Sequence, residues 1–176
     1  MAFFKKINLS ARAALFAAFT ALGGYLLIPL PFSPVPVTLQ SLFTLLAGIL
    51  LGSFAGFISQ IVYLLVGIAG VPVFSGGLAG LGVIASPSGG YLLAFPIAAF
   101  ITGKAKNKES LQEKLFYLIL GALIINFSGA LFLFLWWDFT VVQAAISGFV
   151  IYLPGETFKI FLIVLLIKKL PDNFLA

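Results

Sequence analysis

The chain of 176 residues contains no cysteine and no histidine. Those two absences together remove disulfides, thiolate chemistry, histidine-ligated metals and any serine–histidine relay. Charge is scarce too: Asp, Glu, Lys and Arg make up 9% of the chain, against about 25% in a soluble domain. Nothing is charged from residue 13 to residue 103, and residues 115 to 167 carry only Asp138, Glu156 and Lys159. With 62% hydrophobic residues, the chain reads as an all-α integral membrane protein, a single domain over residues 1–176 with about six helices. A net charge of +5 would point to nucleic acid in a soluble protein. In a membrane protein it is read through loop asymmetry, and no nucleic-acid partner is expected.

The apolar runs predict helices over about 13–30, 37–51, 54–69, 91–102, 115–137 and 156–170. The first follows Lys5, Lys6 and Arg12; it is long for a signal-peptide core, and no small-x-small cleavage site follows it. Ala13, Ala17 and Ala21 recur every fourth residue, with Ala14 and Ala18 beside them. Such a ridge of small side chains lets another backbone approach closely, either within the chain or on a partner protein. Asn126, inside the fifth run, reads as a helix–helix hydrogen bond rather than a ligand contact. Trp136 and Trp137 fall where interfacial aromatics belong.

Two uncharged breaks interrupt the runs. Residues 29–40 hold four prolines in eight positions, and residues 70–90 are rich in glycine. The run at 37–51 would span only about 22 Å of a hydrocarbon core about 30 Å thick. Irregular backbone at membrane depth survives only where protein buries it or where it lines a cavity. The two breaks therefore read as re-entrant walls and lid of a pocket, with glycines letting backbone donors approach a ligand.

With six spans, Lys5, Lys6, Arg12, Lys104, Lys106, Lys108, Lys114, Lys168 and Lys169 share one side with both termini. By the positive-inside rule that side is cytoplasmic. The tenth basic residue, Lys159, stands three positions after Glu156 in Tyr152-Leu-Pro-Gly-Glu-Thr-Phe-Lys159. An ionisable group at membrane depth costs about 2.5–3.5 kcal/mol on insertion scales and usually marks a site. Spacing i, i+3 puts the two on one helix face. They form either a structural clasp or the polar end of an outward-facing pocket for a small, partly apolar carboxylate.

Pro34-Val-Pro-Val-Thr-Leu-Gln40, Gly70-Val-Pro-Val-Phe-Ser-Gly-Gly77, Ser86-Pro-Ser-Gly-Gly-Tyr-Leu-Leu-Ala-Phe95 and Leu153-Pro-Gly-Glu-Thr-Phe-Lys159 resemble, in order, the signature blocks of the BioY family. That family comprises biotin-binding S components of energy-coupling factor (ECF) transporters. The resemblance implies six helices with cytoplasmic termini in a prokaryotic plasma membrane, biotin as transported ligand, and no cofactor. It also implies that Glu156 and Lys159 contact biotin, that Gly76, Gly77, Ser88, Gly89, Gly90 and Tyr91 close over it, and that Gln40 adds a polar contact. This chain has Glu156 where the family usually has Asp, Ser86-Pro-Ser88 for Gly-Pro-Thr, and Leu78 and Ala79 where more glycine is expected.

No phosphate loop of the Gly-x-x-x-x-Gly-Lys-Ser/Thr type is present, so the chain is not expected to be an enzyme. The resemblance implies partners instead: a transmembrane coupling subunit and two ATP-hydrolysing subunits. Docking would run through Ala13, Ala17 and Ala21, or through Ala14 and Ala18. Other readings are a free-standing biotin transporter, an S component for another small carboxylate vitamin, and an intramembrane enzyme or structural protein. The enzyme reading has no nucleophile or metal set to accompany Glu156.

Overall fold

The computed structural model describes residues 8–169; Lys5, Lys6, Leu170 and both termini lie outside them. Helix α1 (Leu9–Tyr25) leads into a small antiparallel hairpin, β1 (Leu27–Ile28) and β2 (Val37–Thr38), with Leu27 opposite Thr38 and Ile28 opposite Val37. Helices α2 (Gln40–Leu51) and α3 (Ser53–Ile68) are joined through Gly52. A 3-10 turn (Ser75–Gly77) and the one-turn α4 (Leu81–Ile84) then precede α5 (Gly89–Gly103) and α6 (Leu111–Trp136). The chain closes with α7 (Val141–Gly148), a 3-10 turn (Val150–Tyr152) and α8 (Leu153–Lys169).

Several boundaries depart from the apolar runs, for local reasons. The first helix stops at Tyr25 instead of continuing to 30, because Pro29 disfavours helical backbone at Ile28. That residue goes into the hairpin, so the fold is mostly rather than wholly helical. The segment 70–90 is not all irregular; it carries the two short helical turns. Residues 139–153 contain α7, whose start is fixed by a reciprocal capping box between Thr140 and Gln143. The last helix begins at Leu153 and takes in Pro154 and Gly155. Proline fits a first turn because its missing N–H would have no helical partner there. The backbone leaves the helical path earlier, at Phe149.

At one end of the bundle Gly103 packs directly on Ser53 and Gly52 lies beside Lys106, so the α2–α3 turn and the α5–α6 loop meet. The hairpin and the 70–90 segment occupy the other end. Between them Leu45, Ile49, Ala98, Leu118 and Ile163 form a fully buried core. Outside, Phe116, Ile119, Leu123, Phe127, Leu131 and Phe134 are exposed along α6 at steps of three or four residues. A continuous apolar stripe of that length is unfavourable in water, at about 25 cal/mol per Å², and is the natural surface of a protein solvated by lipid. Leu111–Trp136 and the stretch Val141–Lys169 are long and apolar enough to cross a membrane; Gln40–Leu51, Ser53–Ile68 and Gly89–Gly103 are apolar but shorter.

Candidate functional site

The two uncharged breaks and the start of α8 converge on one open-mouthed cavity. The hairpin supplies Val35, Pro36, Val37 and Thr38; the 70–90 segment supplies Ser75, Leu78, Val83 and Ser88. Helices α2, α5 and α6 add Gln40, Ser41, Tyr91, Leu92, Phe95, Ile125 and Asn126, and the last helical segment adds Tyr152, Glu156 and Lys159. The lining thus combines apolar side chains with a few polar groups, as in small-molecule sites generally.

Glu156 and Lys159 are both clasp and lining. Lys159 Nζ donates to Glu156 Oε1 at 2.7 Å, and the two residues are only 4–5% exposed. Ser41 bridges them: its hydroxyl accepts from Lys159 Nζ at 2.8 Å and donates to Glu156 Oε1 at 2.8 Å. Removing two charges from water costs several kcal/mol per ion, and only such close, multiply bonded geometry offsets it. The offset is incomplete. Glu156 Oε2 is buried with no partner among the described residues, and Lys159 has used two of its three protons. The site keeps one strong acceptor and one charged donor for something else.

The other expected contacts divide. Ser88, Tyr91 and Gln40 line the cavity with Glu156 and Lys159; Gly76, Gly77, Gly89 and Gly90 do not. Gly76 and Gly77 lie at φ 69° and 78°, the left-handed region that glycine occupies freely, and thereby turn the chain so that Ser75 and Leu78 face inward. Gly89 and Gly90 let the start of α5 press against Ile84, Ser128 and Phe132. Gln40 spends its amide within the protein: Nε2 donates to the Tyr63 hydroxyl, and Oε1 accepts from Thr38 Oγ1 at 3.1 Å. Tyr91 is buried, donates to the Gly148 carbonyl at 2.7 Å and packs against the Tyr152 ring.

Sequence reading missed Ser41, Ser75 and Tyr152. No periodicity singles out Ser41, whose partners are 115 and 118 positions away. Tyr152 tethers the hairpin: its hydroxyl donates to the Val35 carbonyl at 2.6 Å and pairs with Ser33 Oγ at 2.7 Å. Asn126 is not the helix–helix hydrogen bond expected of it, since its Nδ2 is buried without a partner among the described residues.

On α1 the ridge of alanines splits by face. Ala13 and Ala17 are buried against the bundle and Ala21 is half-buried, whereas Ala14 and Ala18 are exposed.

Comparison with known proteins places these features in a family. The "Probable biotin transporter BioY" of Pyrococcus horikoshii is 36% identical over 160 residues, covering 91% of this chain and 94% of that protein. The "Biotin transporter BioY" of Thermotoga maritima is 37% identical over 166 residues, covering 90% and 95%. The crystal structure of the S-component for biotin from an ECF-type ABC transporter superposes with a TM-score of 0.86 at 29% identity, over 98% of this chain and 97% of that one. The family model described as "BioY family" matches residues 4–175, and the chain belongs to that family.

Proposed function

We propose that this protein captures biotin and carries it across the membrane as the S component of an ECF-type transporter. The observation that carries the reading is the buried Ser41–Glu156–Lys159 cluster with its free carboxylate oxygen. That oxygen only accepts, and biotin's only N–H donors are those of its ureido ring, so the ring goes to Glu156. The third proton of Lys159 then serves an oxygen of the ligand. The apolar lining residues, Leu92, Phe95 and Ile125 among them, suit the thioether ring and aliphatic chain.

In this reading six segments span the plasma membrane of a prokaryote. The basic end, with the Gly52 turn and Lys104 to Lys108, is cytoplasmic, and the hairpin end opens outward. A transmembrane coupling subunit packs on the exposed Ala14 and Ala18, and two ATP-hydrolysing subunits drive the cycle. Titration of labelled biotin into the purified chain tests the reading, with thiamine and riboflavin as competitors. Tight, uncompeted binding supports it; no binding by a monodisperse protein overturns it. Co-purification of ATP-hydrolysing subunits separates an S component from a free-standing transporter.

A further inference from the structure

Asn126 is 2% exposed, lines the cavity, and leaves its Nδ2 without a partner among the described residues. A buried amide donor with no acceptor is unfavourable unless a ligand supplies one. Its depth can be worked out from packing. A Cβ on Gly121 of α6 would lie 2.8 Å from Leu45 Cδ2 of α2, so these residues are level. Helix α2 starts at the hairpin end, and α6 starts at the opposite end, beside the Gly52 turn. Going from Leu45 back to Ser41, and from Gly121 on to Asn126, both paths climb toward the hairpin end, by about 6 Å and about 7.5 Å. Asn126 therefore lies at the depth of Ser41, which holds Glu156 and Lys159. One cavity thus presents, at one level, an unused acceptor and an unused donor.

We propose that Asn126 is a specificity-determining contact, its amide N–H donating to an oxygen of the same polar head whose own N–H donates to Glu156 Oε2. This rests on the biotin reading, in which the head is the ureido ring and the oxygen is its carbonyl. The pair Glu156 and Asn126 reads the H–N–C=O edge of that ring, and Lys159 is left for a second oxygen. The amide N–H favours a ligand oxygen at this place.

The test compares biotin with iminobiotin, in which an imino group replaces the ureido oxygen, in the wild type, Asn126→Ala and the isosteric Asn126→Asp at pH 8. Wild-type biotin binding is measured first; its absence overturns the reading of the site and this assignment with it. Given wild-type binding, Asn126→Ala is expected to weaken biotin by about 10- to 100-fold and iminobiotin much less. Asn126→Asp is expected to shift the preference toward iminobiotin by a similar factor; ligand-free melting stays near wild type in Asn126→Ala and falls in Asn126→Asp, which buries a carboxylate at membrane depth. Unchanged biotin affinity overturns the assignment, as does equal weakening of both ligands. Loss of folded protein in Asn126→Ala also overturns it, because an amide with no partner contributes nothing to the fold that its removal would cost.

Discussion

Two Lys–Glu pairs in this molecule have almost the same geometry and different consequences. Lys159 and Glu156 are 2.7 Å apart with side chains 5% and 6% exposed; Lys108 and Glu113 are 2.8 Å apart with side chains 40% and 47% exposed. The first pair lies in the bundle, bridged by Ser41 and facing a cavity. The second crosses the start of α6 in the one hydrophilic loop, where water competes for both ends. Distance alone therefore says little about what an ion pair does; the medium around it decides.

The comparison breaks hardest when one buried partner is removed. Lys159→Ala strands the Glu156 carboxylate, and we expect a loss of about 3–5 kcal/mol in stability and of about 2–4 kcal/mol in biotin binding. Thermal unfolding and biotin titration in detergent measure both; wild-type values in each would remove the cluster from the site. Removing both charges sharpens the point. Glu156→Gln with Lys159→Met should recover most of the stability, since no lone charge is left buried, while biotin binding stays lost. Recovered binding would make the pair a clasp only. Ser41→Ala deletes two bonds to charged groups and should weaken biotin binding by about 1.5–3 kcal/mol, readable in the same titration.

The same contrast of medium separates neighbours on α1. Ala17 is 7% exposed and Ala18 is on the open face. Ala17→Trp overpacks the bundle and should destabilise it by about 1–3 kcal/mol. Ala18→Trp should leave melting and biotin binding unchanged but abolish energised uptake in cells that carry the ATP-hydrolysing subunits; full uptake would remove the docking role from that face.

Smallest is the exposed pair. The Lys108 pKa is raised by its hydrogen bond to Glu113 and then by the charge of that carboxylate. A raised lysine pKa means that the stabilisation is present below the ordinary lysine range and is lost as pH rises through the shifted value. Screening by salt removes it as well. Lys108→Met should therefore change neither biotin affinity nor melting measurably at pH 7, and a clear change in either would show that the loop is coupled to the bundle.

What could be read without coordinates came from rarity. Two opposite charges three residues apart in an apolar run had few innocent explanations, and Glu156 and Lys159 do face the cavity. Proline and glycine punctuation marked residues 29–40 and 70–90, and both segments contribute walls. Gly76, Gly77, Gly89 and Gly90 do not line the cavity. Flexible backbone near a pocket suggested ligand contact, but the left-handed turn at Gly76 and Gly77 and the close packing at Gly89 and Gly90 require glycine for reasons that composition does not distinguish.

The sequence by itself determined the solvent, the approximate helices and the family, because hydropathy, proline constraints and ordered motifs are local properties of the chain. Tertiary structure alone decided which polar groups meet. Ser41 joins Glu156 and Lys159 across more than a hundred residues, Asn126 faces the cavity instead of a helix, and Ala14 and Ala18 rather than Ala13 and Ala17 remain open. Each depends on the rotation and depth of a helix against its neighbours. Packing sets those quantities, and in a chain where nearly every face is apolar the pattern of residues leaves them undetermined.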